Sequence, residues 1–247
     1  MTQRLFSIGG LLLFLVIWEV VPLVAPEAAA LLPVPSQLPG AFWREAHSGI
    51  WGASVIASLR HYLLGLLLGV LLGGGIGVLA GAHEKLEWSL SWIVRIVRPI
   101  PGLAWIPFAI LWFGVEEKAA VFIIAMGVFW IVYFAAHGAV RNVDKDLLEV
   151  AAAFGFGGFW DKLYKVQFPA SLPAIFVGVR TALGQAWMAV VAAELFGVAG
   201  LGQRMNQASS LLATDIVVVY MLTMAALYGL VDAGFVFVQS RALAWKN

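Results

Sequence analysis

Residues Leu63–Ala80 read L-L-G-L-L-L-G-V-L-L-G-G-G-I-G-V-L-A, a run without one charged, hydroxyl or amide side chain. A helix needs about 20 apolar residues to cross the hydrocarbon core of a bilayer, and the flanks of this run extend it within Ile50–Ala82. Its glycines are ordered. Gly65, Gly69, Gly73, Gly77 and Gly81 fall at every fourth position and therefore share one helix face. Along such a face a second helix can approach closely, so the stripe reads as a bundle-packing surface rather than a ligand site. Strands of a membrane barrel alternate apolar and polar residues, and this run is continuous, which excludes that reading.

Working outward, similar stretches occur at about Leu5–Val24, Trp92–Phe113, Ala119–Ala136, Ala174–Val198 and Ile216–Val238, giving six expected spans. Pro99, Pro101 and Pro107 interrupt the third. They predict a kinked or broken helix, or one that starts only after Pro101. The composition agrees with so many spans. Of 247 residues, 62% are hydrophobic and 12% charged, and the mean hydropathy is +0.92. A soluble domain is nearer 45–50% apolar and about 25% charged, and could not cover this much apolar side chain. A soluble enzyme, a nucleic-acid binder and a disordered chain are thereby argued against. The net charge of +1 recruits no polyanion. Cysteine is absent, so no disulfide or thiolate metal site can form, and no metal site is expected.

The first span admits a second reading. Arg4 before an apolar run, with Ala28–Ala30 beyond it, resembles a signal peptide and its cleavage site. Leu5–Val24 is long for that purpose, and Pro22 and Pro26 intervene, which favours a retained helix. Basic residues set the orientation. With the N-terminus inside, the inner segments hold ten Lys and Arg and the outer ones three, so both termini are expected in the cytoplasm. The outer segment Pro26–Gly49 carries Pro33, Pro35 and Pro39 and then an amphipathic piece, Gln37–His47, suited to the membrane surface.

The longest inner loop, Arg141–Pro173, is where charge concentrates. Asp144–Gln167 reads D-K-D-L-L-E-V-A-A-A-F-G-F-G-G-F-W-D-K-L-Y-K-V-Q. Leu147, Leu148, Ala151, Ala152 and Phe154 form a small-residue helix face, Gly155–Gly158 a turn, and Phe159–Lys165 a second short helix. Ser171 is the expected N-cap of the fifth span, with Pro173 in its first turn. A plain connector needs no such helix–turn–helix.

This loop resembles that of the permease subunits of bacterial ABC importers. Their mark is Glu-Ala-Ala, a glycine six residues after the Glu, and then apolar-x-apolar-Pro. Here stand Glu149, Val150, Ala151, Gly155 and Val166-Gln167-Phe168-Pro169. Val150 replaces the first Ala, and ten residues separate Gly155 from Val166 where nine are usual, with the extra one within Phe156–Gly158. Outside the loop, R-P-I-P-G-L-A-W-I-P-F-A-I-L-W-F-G (Arg98–Gly114), L-L-P-V-P-S (Leu31–Ser36), A-S-L-R-H-Y-L-L-G (Ala57–Gly65) and A-W-M-A-V-V-A-A-E-L-F-G (Ala186–Gly197) resemble the nitrate/sulfonate/taurine branch. So do Gly200–Gly202, Asp232 and Trp245, and the likeness runs from Leu31 to the C-terminus.

The resemblance implies an all-α membrane protein with six transmembrane helices, of the type I ABC importer permease fold (MetI-like). It divides the chain into 1–49, an N-terminal helix and external interfacial segment, and 50–247, a permease core with coupling loop 141–173. The loop is expected to dock on an ATPase through Glu149, Ala151, Ala152 and Gly155, flanked by Asp161 and Lys162. The implied partners are a second permease chain, most simply in a homodimer, two cytoplasmic ATP-binding-cassette ATPases and an external substrate-binding protein, with the permease itself in a bacterial inner membrane. No cofactor is expected on this chain. ATP and magnesium belong to the ATPase, since none of the six lysines follows a glycine as a phosphate-binding loop requires.

Polar and aromatic residues in the spans are the substrate-path candidates, because such groups are costly in lipid. They are Arg60, Trp105, Trp112, Gln185, Trp187 and Glu194. Arg60 can attract an anion or snorkel toward headgroups. Gln185 can serve as an interhelical hydrogen bond, Glu194 suits a gate or packing partner better than an anion ligand, and Asp232 suits a structural partner for an arginine. His137 and Arg141 mark an inner membrane boundary. The first solute expected is a sulfonate, taurine, nitrate or similar small anion; a thiamine precursor or aromatic acid is the alternative in the same class. An intramembrane protease would need a serine paired with a membrane histidine, and a channel or secondary transporter would leave the inner loop unexplained.

Overall fold

The computed structural model describes residues 2–25 and 31–246, and every regular element in them is helical. Pro26 and Ala28–Ala30, on which the cleavage-site alternative turns, lie outside the described residues. The helices are α1 (Thr2–Val24), α2 (Leu38–His47), α3 (Ile50–Ala82), α4 (Glu84–Val97), α5 (Ile106–Phe113), α6 (Glu117–Arg141), α7 (Lys145–Ala153), α8 (Phe159–Lys162), α9 (Phe168–Leu195), α10 (Leu201–Ser210) and α11 (Thr214–Ala242). Five stretches are long and apolar enough to cross a membrane, and a sixth is reached if α4 and the helical segment Gly102–Phe113 count as one broken span. The chain forms two compact units, Met1–Ala57 with Ala199–Leu227, and Ser58–Val198 with Tyr228–Asn247.

In the larger unit the glycine stripe does what its period implies. A Cβ built on Gly65 or Gly69 would fall 2.5 or 2.6 Å from Ile124 or Val128 of α6. On Gly73, Gly77 and Gly81 it would fall 2.4, 2.5 and 2.7 Å from the backbone oxygens of Phe129, Tyr133 and His137. The two helices therefore pack backbone to backbone, as only glycine allows. On its other flank α6 meets α9, whose Gly178, Ala182, Ala186 and Ala193 are buried and small. Of the buried side chains of α6, Ile124, Val128, Val132 and Val140 lie against the glycines of α3. The large side chains left outside, such as Leu63, Leu67 and Leu71 on α3, are exposed, as a lipid-facing surface requires.

The third span is broken, one of the outcomes its prolines predict. α4 and Gly102–Phe113 meet at 81°. Pro99 and Pro101 each lack the N–H that would continue the ladder, and Pro101 has extended ψ of 144°. Pro107 sits in the first turn of α5, where the missing N–H costs nothing.

The fifth span differs from expectation. Ser171 does not cap it. The helix α9 already begins at Phe168, Pro169 occupies its first turn, Pro173 lies inside it, and Ser171 Oγ donates to the Phe168 carbonyl at 2.9 Å. The second short helix of the loop is not separate either: α8 runs through a π-helical turn, Leu163–Gln167, into α9. Pro169 explains the join. It cannot donate to the Lys165 carbonyl four residues back, and a wider turn, with Phe168 N–H donating to Leu163, absorbs the mismatch.

In the smaller unit Trp18 Nε1 of α1 donates to the Pro33 carbonyl at 3.1 Å, and Ser36 donates through Oγ and N–H to Glu19 at 2.7 and 3.1 Å. Leu38 and Ala41 of α2 pack with Val219, Trp18 and Val218.

Candidate functional site

The inner loop is built from a capped helix and a glycine turn. Asp144 is the N-cap of α7, accepting the Asp146 N–H at 3.0 Å. Past the helix, Gly155 has φ +89°, its N–H donates to the Ala152 carbonyl at 3.0 Å, and Phe156 N–H donates to Ala151 at 2.9 Å. That pair of bonds is a Schellman stop, and the positive φ explains why glycine stands there. The expected helix face divides in two. Leu148 is half-buried and Ala151 buried, turned toward the protein; Leu147, Glu149, Ala152 and Phe154 are exposed. Asp161 is held by Lys165 at 2.7 Å, whose ammonium also lies 4.4 Å from the Phe156 ring, so one lysine pins the turn to the following helix. Lys162 is half-buried.

The loop hangs from the end of α6. There Glu87 of α4 receives Arg141 and lies 3.3 Å from His137 Nε2. These two were read from sequence as boundary markers, and the structure adds the carboxylate between them.

The six substrate-path candidates do not converge. Trp105 stands in an aromatic cluster with Phe108 and Phe122, ring centroids 6.1 and 6.3 Å away, and its indole N–H is buried without a partner. Trp112, exposed, joins the same cluster, 5.8 Å from Phe122. Gln185 of α9 lies against Gly127 of α6, and Gly102 in the turn after Pro101 closes on Gly127 from another side, a Cβ there falling 3.1 Å from the Gly127 Cα. Trp187 is buried, edge-on to Tyr62 at 5.1 Å. Glu194 is fully buried, accepts from Ser58 Oγ at 2.7 and 2.9 Å, and lies 3.0 Å from His61 Nδ1. Arg60 is exposed and donates to Glu117 at 3.0 Å. Asp232 pairs with Arg180 at 2.8 and 2.9 Å, the arginine partnership expected of it.

Sequence reasoning missed the polar centre of the smaller unit. Glu45, 5% exposed, receives Arg204 at 2.7 and 3.0 Å and the Tyr220 hydroxyl at 2.9 Å. The Arg204 hydrogen bond holds the Glu45 carboxyl below the usual carboxylate range. Because it titrates lower when folded, its contribution is complete above the ordinary glutamate value of about 4.3 and disappears as the pH falls through the folded value. Glu45→Gln is expected to lower the thermal unfolding temperature of the detergent-solubilised protein at pH 7, at a cost of about 2 kcal/mol. The gap to wild type should narrow as the pH falls below the ordinary glutamate value and through the lower folded one; a gap that stays constant through acid would show that the charge contributes nothing.

The comparisons with known proteins agree with this architecture. The profile of the family described as binding-protein-dependent transport system inner membrane component matches residues 65–243. The chain belongs to that family. It is a multi-pass permease of the inner membrane, with the type I ABC importer fold, and works with a binding protein and with an ATPase carried by another subunit. It is 34% identical over 242 residues to the putative aliphatic sulfonates transport permease protein SsuC of Bacillus subtilis (strain 168), covering 96% of this chain and 87% of the relative. It is 30% identical over 251 residues to the taurine transport system permease protein TauC of Escherichia coli (strain K12), covering 99% and 91%. Among solved structures, inward-facing MetNI methionine ABC transporter superposes with a TM-score of 0.65 at 22% identity, over 82% of this chain and 99% of that one.

Proposed function

We propose that two copies of this chain form the path by which an importer carries small sulfonates, and that each copy docks on one of two ATPase subunits holding ATP and magnesium. The observation that carries the reading is the loop α7–turn–α8, which leaves Glu149, Ala152 and Phe154 exposed ahead of a Schellman stop. Small and charged groups on a rigid helix suit a groove on a partner, with the carboxylate setting register. Ala151, being buried, supports the loop from within, Gly155 ends the helix, and Asp161 and Lys162 fix the approach of α8. When the ATPases close, the loops move as levers, and the spans rock between inward-open and outward-open states.

Ten basic residues on one side against three on the other support cytoplasmic termini. Trp105 and Gln185, near the glycine contact of Gly102 and Gly127, are the path groups this reading favours; Trp187 and Glu194 hold helices together. The sulfonate substrate is supported by the kinship with SsuC and TauC. The test is reconstitution of the chain with its ATPase in nanodiscs. A binding protein loaded with taurine or an alkanesulfonate should stimulate ATP hydrolysis severalfold over the unloaded protein. If no ATPase subunit is retained, the coupling assignment falls; if it is retained and stimulated only by a solute of another class, the substrate falls.

A further inference from the structure

A cavity of about 680 Å³ runs along α3 and α6. Its charged groups gather at one end: Arg60 on α3, and Glu116, Glu117 and Lys118 at the start of α6. Beyond them its walls are apolar, with Leu64, Leu68 and Leu72 facing Phe122, Met126 and Phe129. From Arg60 to Leu72 the helix climbs roughly 18 Å, at about 1.5 Å per residue. Half of a bilayer's hydrocarbon core is about 15 Å. The cavity is therefore about as deep as one leaflet, with its charges at one end.

The charges at the mouth are two of each sign, so they favour neither a bare anion nor a bare cation. Arg60 spends one contact on Glu117 Oε2, at 3.0 Å, while Glu117 Oε1 is buried and has no hydrogen-bond partner. The Glu117 side chain is nevertheless 36% exposed, so an ammonium can reach this carboxylate at the mouth. The mouth thus offers cationic donors to an oxyanion and a carboxylate to an amine, side by side. The apolar shaft offers nothing to a small polar solute and fits an aliphatic chain.

The geometry points to a binding site for a zwitterionic amine phospholipid of the phosphatidylethanolamine class. Its phosphate lies between Arg60 and Lys118, its ammonium at Glu116 and Glu117, and an acyl chain along Leu64, Leu68 and Leu72. Arg60, a path candidate by sequence, here serves the surrounding lipid instead. With both termini in the cytoplasm, as proposed above, the site opens to the outer leaflet.

The experiment uses the permease–ATPase complex, purified in mild detergent, stripped of lipid and offered equal amounts of phosphatidylethanolamine and phosphatidylglycerol, with retained lipid read by native mass spectrometry. Phosphatidylethanolamine should be retained severalfold over phosphatidylglycerol. Arg60→Gln and Glu117→Gln should erase that preference, and Leu68→Trp, which fills the shaft and leaves the ion pair, should abolish retention while the complex still assembles. Equal retention of the two lipids, or unchanged retention in Leu68→Trp, overturns the site. Displacement of the lipid by free taurine overturns it in favour of a soluble zwitterion. Since the chain has no cysteine, disulfide formation between two Leu68→Cys copies in membranes would show a second copy in the groove and likewise overturn it. Stimulation by loaded binding protein, measured on the same preparation, reports the transport function independently.

Discussion

Gly73→Ala is expected to damage this protein severely, while Gly75→Ala, two residues along the same helix, is expected to leave it intact. A Cβ on Gly73 falls 2.4 Å from the Phe129 carbonyl oxygen and 3.1 Å from its Cα, whereas one on Gly75 meets nothing within 4 Å. The obstacle at Gly73 is backbone of a neighbouring helix, so no rotamer change relieves it and α3 must move away from α6. Overpacking costs about 1–3 kcal/mol where side chains can adjust, and here they cannot. Moreover, a shift at Gly73 separates the whole stripe, because Gly69 and Gly77 are in contact on either side. At Gly75 the added methyl meets no other atom of the chain, and removing a helical glycine is neutral or slightly favourable. Thermal aggregation of the solubilised variants, with the amount inserted in membranes, checks this. Equal stability of the two variants would mean that α3 and α6 are not packed as described.

That stripe was legible because a period of four needs no knowledge of the partner. The spans were legible for a similar reason: lipid forces every backbone polar group to be satisfied within its own helix, so a continuous apolar run can only be a helix. The break in the third span was legible from Pro99 and Pro101, but its 81° angle depends on what α4 and α5 each pack against. The start of the fifth span was misread because Ser171 has the chemistry of an N-cap, and the π-helical turn that carries α8 into α9 has no period of its own.

The polar pairings were the least legible part. Glu194 meets Ser58 and His61, which lie one turn apart on α3 but 136 and 133 residues away in sequence. Arg60 meets Glu117 and Glu45 meets Arg204 across gaps of 57 and 159 residues. Residue type singled out Arg60, Glu194 and Asp232 as costly groups but passed over Glu45. Which of them are adjacent depends on the axial register of neighbouring helices, which packing of small residues sets and no local pattern records. The family resemblance pointed to the loop proposed here for coupling, yet not to Ala151 being buried while Ala152 is exposed.

Glu149→Lys is expected to uncouple ATP hydrolysis from transport without harming the permease itself. Glu149 stands exposed in the middle of α7, and among the described residues it makes no ion pair, so its reversal leaves the chain's own contacts in place. Any loss must therefore arise at a surface the chain shares with another protein. A hydrogen bond to a charged group contributes about 1.5–3 kcal/mol, and an unfavourable charge placed in its stead adds to that loss; each 1.4 kcal/mol is about tenfold. Stimulation of ATPase by loaded binding protein, and uptake in proteoliposomes, should fall at least about tenfold. The thermal unfolding temperature should stay near that of wild type. Ala151→Leu supplies the contrast. With Ala151 8% exposed, a larger side chain there strains α7 against its neighbours, so stability and coupling should fall together. Undiminished transport in Glu149→Lys would remove that residue from the docking surface. A parallel loss of stability in Glu149→Lys would show that the carboxylate serves the fold, and the coupling contact would then have to be sought on the exposed Phe154 and Ala152.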